Sequence, residues 1–119
     1  MTVTVYGIAN CDSVRKARAW LQAEGVEFAF HDFKRVGLDE ALLDRWIGLA
    51  GSQTLLNRRG TTWRRLDESA RGTAVDAAGA RALMLAQPSL VKRPVVQWAD
   101  GAITVGFDPA QFARRARRV

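Results

Sequence analysis

Tyr6-Gly7-Ile8-Ala9-Asn10-Cys11-Asp12-Ser13-Val14-Arg15-Lys16-Ala17 is the stretch on which the fold turns. Ahead of it, Thr2 to Tyr6 alternates with β-branched residues and reads as a strand. Gly7 to Asn10 reads as a turn. From Asp12 to Glu24 the apolar spacing changes to three and four. Val14, Ala17, Trp20 and Leu21 then share one face of a helix, with Arg15, Lys16 and Arg18 mostly off it. Gly25 is placed to end that helix. Val26 to Phe33 alternates again and reads as a second strand, with Val26, Phe28 and Phe30 on one face and Glu27, Ala29 and His31 on the other. Strand–helix–strand at this length implies a parallel pair joined by a right-handed crossover.

Working outward, Leu38, Leu42, Leu43, Trp46, Ile47 and Leu49 form an apolar stripe over 39–50, with Asp39 as candidate N-cap and Gly51 as the stop. Residues 53–65 read as irregular and arginine-rich. Asp67 to Leu85 reads as further helix, opened by Asp67-Glu68. Val75, Ala78, Ala82, Leu83 and Ala86 lie on one face, and Pro88 ends the run. Val95 to Trp98 and Ile103 to Val105 are short strand-like runs around Asp100-Gly101, a strong hairpin signal. Asp108 and Pro109 then suit the N-cap and first position of a last helix. The expected architecture is a single α/β domain over 1–119. It has the thioredoxin-like plan, a mixed sheet built from a βαβ half and a ββα half with helices on both faces. A helical insertion over about 38–88 separates the halves.

The composition is that of an ordinary globular chain: 119 residues, 48% hydrophobic and 25% charged. One cysteine excludes an internal disulfide, a CxxC redox pair and a cysteine-rich zinc site. One histidine, His31, argues against a histidine metal cluster. It is expected to be a strand-face residue rather than a general base for Cys11. No run approaches 18 apolar residues, and the start lacks the pattern of a signal peptide. The expectation is a cytoplasmic protein without a membrane span. The net charge of +6 owes much to Arg114, Arg115, Arg117 and Arg118; without them 14 positive charges face 12 negative. A basic last turn favoured by the helix dipole explains this tail more simply than nucleic-acid binding does.

Chemistry is concentrated at Cys11. A helix start offers free N–H groups and a partial positive charge, both of which favour a thiolate. Ser13 adds a hydroxyl, and Arg15, Lys16 and Arg18 add positive potential. A free cysteine is often only a small buried hydrophobe, but Asn10 and Asp12 are polar, cap-forming neighbours that place this thiol toward the surface. Asp12 is expected to act as a cap rather than as a proton donor.

A second element is Lys92-Arg93-Pro94-Val95-Val96. Proline before a strand can fix a sharp turn, with a cis peptide as one way to do so. Arg93 reads in two ways: a surface arginine ahead of an edge strand, or a guanidinium near the Cys11 helix that binds an oxyanion or carboxylate or stabilises the thiolate.

The stretch from Tyr6 to Ala17 resembles the active-site turn of the arsenate reductase-like (ArsC/Spx) family, in particular its YffB-type branch. Three further blocks resemble those of the family in order and spacing: Leu55-Leu56-Asn57-Arg58-Arg59-Gly60-Thr61-Thr62-Trp63-Arg64, Leu90-Val91-Lys92-Arg93-Pro94-Val95, and Val105-Gly106-Phe107. The resemblance runs from Thr4 to about Phe112. It implies a thioredoxin-like fold, a cis Pro94 and Cys11 as the nucleophile. Of the three arginines that hold arsenate in the family's arsenate reductases, Arg93 matches one. The second position falls on Asn57 and the third on Gly106. Arg59 matches an arginine of the YffB and Spx branches. Spx-branch regulators often carry Cys-x-x-Cys and contact RNA polymerase, but here the fourth position is Val14.

The resemblance therefore implies Cys11 and Arg93 as catalytic residues, with Asn10, Asp12, Ser13, Arg59 and Pro94 around the substrate. No metal and no bound cofactor are expected. A lone catalytic thiol ends its attack as a mixed disulfide and needs an outside thiol to resolve it. Glutathione is the expected co-substrate, and an oxidised protein or small molecule, or glutaredoxin, the expected partner. The leading expectation is a glutathione-dependent thiol-disulfide oxidoreductase. Arsenate reduction with glutathione and glutaredoxin, and regulation through RNA polymerase, are the alternatives.

Overall fold

The computed structural model describes residues 2–117. The chain forms two compact units, Met1–Val36 with Arg93–Val119, and Gly37–Lys92.

The first unit holds the sheet. Strands β1 (Val3–Gly7), β2 (Phe28–Asp32), β3 (Val95–Gln97) and β4 (Ile103–Val105) lie in the order β2-β1-β3-β4. β1 pairs parallel with β2, Val3 opposite Phe28, and antiparallel with β3, Val5 opposite Val96; β3 and β4 form the antiparallel hairpin. This is the thioredoxin-like arrangement. Helices α1 (Asp12–Ala23) and α8 (Pro109–Ala116) pack on one sheet face. Their Ala17, Leu21 and Phe112 meet Val3, Val5, Val96 and Trp98 in a buried core. Phe112 is its aromatic centre, with Trp20, Trp98 and Phe107 all edge-on at 5.1–5.6 Å. Asp108 caps α8 through the Ala110 N–H at 3.0 Å, as its sequence position predicts. Arg114 and Arg115 occupy the last turn of α8; Arg118 lies outside the described residues.

The second strand is shorter than its alternation suggests. Pairing starts at Phe28, and Phe33 leaves the strand to open a helical turn, α2 (Phe33–Val36). The cause is Asp32, whose Oδ1 accepts the N–H groups of Lys34 and Arg35 at 3.0 and 3.4 Å and so starts a helix where the strand pattern would continue.

The second unit is helical: α3 (Glu40–Ala50), α4 (Ser52–Leu55), α5 (Thr61–Arg65), α6 (Glu68–Gly72) and α7 (Ala77–Ala86). Asp39 caps α3 as expected, and Leu43 and Trp46 are fully buried, but Leu49 of the expected stripe is exposed. The region read as irregular contains two single-turn helices, α4 and α5, too short to show a period. The long helix expected over 67–85 is broken. Asp67 caps α6, a 3₁₀ turn covers Thr73–Val75, and Asp76 starts α7 afresh by accepting the Gly79 N–H at 2.7 Å. That restart changes the helical phase. Ala80 and Met84 are buried instead of the expected Ala78 and Ala82, and Val75 is 80% exposed. Gly79 permits the break, because a Cβ there would lie 1.6 Å from the Thr73 carbonyl oxygen.

Candidate active site

Cys11 occupies the N-cap of α1, with extended backbone angles (φ −99°, ψ 129°) and its carbonyl accepting the Arg15 N–H at 2.9 Å. The turn that delivers it is closed by the Cys11 N–H to the Ile8 carbonyl, 3.2 Å. Strand and helix meet closely behind it. A Cβ on Gly7 would lie 2.6 Å from a Val14 methyl, so glycine is what lets β1 run against the first turn of α1. In α3, α6, α7 and α8 an aspartate oxygen accepts the first-turn N–H groups. In α1 a half-buried sulfur holds that position.

Asp12, expected as a cap, is therefore the first residue inside the helix. The extended backbone of Cys11 takes the cap position, and the Asp12 carboxylate pairs with Arg15 along the exposed side.

Arg93 lies directly before β3, joined to Pro94 by a cis peptide. The Pro94 carbonyl accepts the Gly106 N–H at 2.8 Å, which fixes the turn against β4. The Arg93 side chain is among the groups that act on the Cys11 thiol. Partial burial alone pushes the thiol's pKa up. The Val14 N–H, the hydrogen bond and charge of Arg93, and the Ser13 N–H outweigh that, so the pKa lies below the ordinary cysteine value. Of the two readings open for Arg93, this geometry supports the one beside the thiol.

The structure thus brings Cys11, Ser13 and Arg93 together, with Pro94 joined to Arg93 by the cis peptide. Ser13 contributes through its backbone N–H. Asn10 is exposed in the turn beside the thiol. Arg59 belongs to the helical unit, in a turn where its N–H donates to Asn57 Oδ1 at 3.0 Å and its carbonyl accepts from Arg64 at 2.6 Å. His31 lies on β2 and packs against Tyr6, ring centroids 5.2 Å apart. Among the described residues, no cluster of His, Cys, Asp or Glu could hold a metal, and no helix is long and apolar enough to cross a membrane.

One contributor has no site signature in the sequence: Asp32, whose Oδ2 accepts the Ala9 N–H at 3.3 Å, two residues before the thiol.

The ArsC family profile matches residues 6–114. Among solved structures, the chain is similar to the YFFB (PA3664) protein (48% identity, covering 96% of this chain and 98% of that one, TM-score 0.90). It is similar also to an arsenate reductase (ArsC) related protein from Brucella melitensis (53% identity, 98% and 96% covered, TM-score 0.77). A Haemophilus influenzae relative described as an uncharacterized protein is 38% identical over 92% of this chain and 95% of its own. With the profile spanning nearly its whole length, the chain belongs to the ArsC family.

Proposed function

We propose that this protein is a thiol-disulfide oxidoreductase that works through Cys11 alone and is returned to its thiol form by glutathione. Family membership supports thiol-based, arsenate reductase-like oxidoreductase chemistry in general. The observation that carries the finer reading is the placement of the single cysteine at the N-cap of α1, where two backbone N–H groups and the Arg93 guanidinium favour its thiolate, in a chain with no second cysteine.

The steps balance as ordinary exchange. The Cys11 thiolate attacks the glutathione sulfur of a mixed disulfide. The new Cys11–glutathione bond forms as the old S–S bond breaks, and the substrate leaves as a thiolate that takes a proton from water. A second glutathione, as thiolate, attacks the glutathione sulfur held on Cys11. Glutathione disulfide leaves and the Cys11 thiolate is restored. Arg93 and the Ser13 and Val14 N–H groups stabilise that thiolate whenever it is attacker or leaving group, which is where charge develops.

Incubation with glutathione disulfide followed by mass spectrometry tests this. The expected result is one glutathionyl adduct on Cys11, removed by added glutathione and absent from Cys11→Ser. No adduct at Cys11 overturns the reading.

Arsenate reduction is a second reading, favoured by the 53% identity to the Brucella protein and by a guanidinium beside the thiol. A glutathione–glutaredoxin coupled assay decides it: arsenate turnover equal in wild type and Cys11→Ser excludes it.

A further inference from the structure

A groove of about 490 Å³ opens at the β2 edge of the sheet, a volume within the range of small-ligand sites. Arg18 of α1, Phe30 and His31 of β2, and Arg35 and Val36 of α2 line it. Ala9, in the turn that leads to Cys11, also lines it.

The groove offers donors for an anion. The Arg18 guanidinium carbon lies 4.2 Å from the Phe30 ring centroid, so the ring face holds the cation and leaves its in-plane N–H groups for a ligand. Neither Arg18 nor Arg35 forms an ion pair with a described residue. Asp32 also lines the groove, but its oxygens already accept backbone N–H groups, Oδ2 from Ala9 and Oδ1 from Lys34 and Arg35. Val36, 69% exposed, adds an apolar wall beside the cations. A carboxylate next to an apolar segment matches this lining.

Helix geometry sets the distance from the thiol. Arg18 follows Cys11 by seven residues, close to two turns, about 10 Å along the axis of α1. Three residues of extended peptide span roughly the same distance.

We propose that this groove seats the carboxylate end of a peptide disulfide whose sulfur meets Cys11, with Arg18 and Arg35 as the anion contacts and Phe30 and Val36 as the apolar wall. The proposal rests on the thiol-exchange reading above and adds the substrate class: a peptide, or peptide conjugate, with a carboxylate about 10 Å from its sulfur.

S-methylglutathione, which cannot exchange, is the binding probe. Titrated into the wild type and followed by NMR, it is expected to shift Arg18, Phe30 and Val36 and to bind more weakly as salt rises. Arg18→Gln/Arg35→Gln weakens binding about tenfold, and Arg18→Lys, which keeps the charge, recovers part of the loss. Arg114→Gln, which removes one charge from α8 and none from the groove, stays within twofold of wild type. In stopped flow, the rate with glutathione disulfide relative to neutral hydroxyethyl disulfide also falls about tenfold in the double variant. Equal affinity in wild type and double variant, or no binding, overturns the groove. Groove binding without any Cys11 adduct from either disulfide overturns the thiol-exchange reading instead.

Discussion

The Asp32 carboxylate holds the Ala9 N–H at 3.3 Å through one oxygen and starts α2 through the other. One side chain thus ties the end of β2 to the turn that presents Cys11. Asp32→Ala removes a helix cap and that tie together. The expected cost is about 1–2 kcal/mol in urea unfolding, the scale of a lost cap. The Cys11 alkylation midpoint moves up as the start of α1 loosens. Asp32→Asn keeps an acceptor oxygen and restores most of both. An unchanged midpoint in Asp32→Ala would show that the tie has no bearing on the thiol.

The pH response of Cys11 follows from the groups around it. Its folded-state pKa lies below the ordinary value, while that of the unfolded chain is about 8.5. The ionised thiol therefore stabilises the fold fully above about pH 8.5, and this contribution is lost as pH falls through the folded-state value. Arg93→Gln removes one hydrogen bond and one positive charge but leaves the burial. The alkylation midpoint against pH moves upward and the stabilising window narrows. Coincident profiles for wild type and Arg93→Gln would mean that Arg93 does not act on the sulfur.

Much of the sheet unit was legible because its signals are local and agree with one another. Alternation at Val3–Val5, three-and-four spacing at Val14, Ala17 and Leu21, and Asp108-Pro109 each specify one element, and core and caps then fall where those patterns say. The helical unit was less legible because its elements are short. Asp76 restarts a helix that composition alone would carry through, and that shift exposes Val75 and buries Met84. At the site, Cys11 was readable from its place between strand and helix. Arg93 was readable only as one of two alternatives, since β3 must first pair with β1 before any contact with residue 11 exists. Asp32 was not readable as a site contributor, because its link to Ala9 spans 23 residues.

Gly7 and Val14 make the thiol's position sensitive to a single methyl group. In Gly7→Ala the new Cβ would meet a Val14 methyl at 2.6 Å, forcing β1 and the first turn of α1 apart. A loss of about 1–3 kcal/mol is expected, typical of overpacking. Val14 is fully buried, so Val14→Ala leaves a cavity and is destabilising alone. The pair Gly7→Ala/Val14→Ala relieves both faults and is more stable than the sum of the single losses by at least about 0.5 kcal/mol. Additive losses in urea unfolding would mean that the two residues do not share this contact.

Trp98 and Thr104 supply a buried polar pair on the hairpin. The Trp98 Nε1–H donates to Thr104 Oγ1 at 3.1 Å, and the two residues are 1% and 2% exposed. Thr104→Val keeps the shape and removes the acceptor, which strands a buried indole N–H. A loss of about 1–3 kcal/mol is expected, because the donor stays desolvated without a partner. Trp98→Phe alone removes the donor but leaves unfilled space against Phe112. In the Trp98→Phe background the stranded donor is gone, so Thr104→Val costs less than it does alone. That difference in urea unfolding measures the hydrogen bond apart from the packing. An equal cost of Thr104→Val in both backgrounds would show that the bond contributes nothing to hairpin stability.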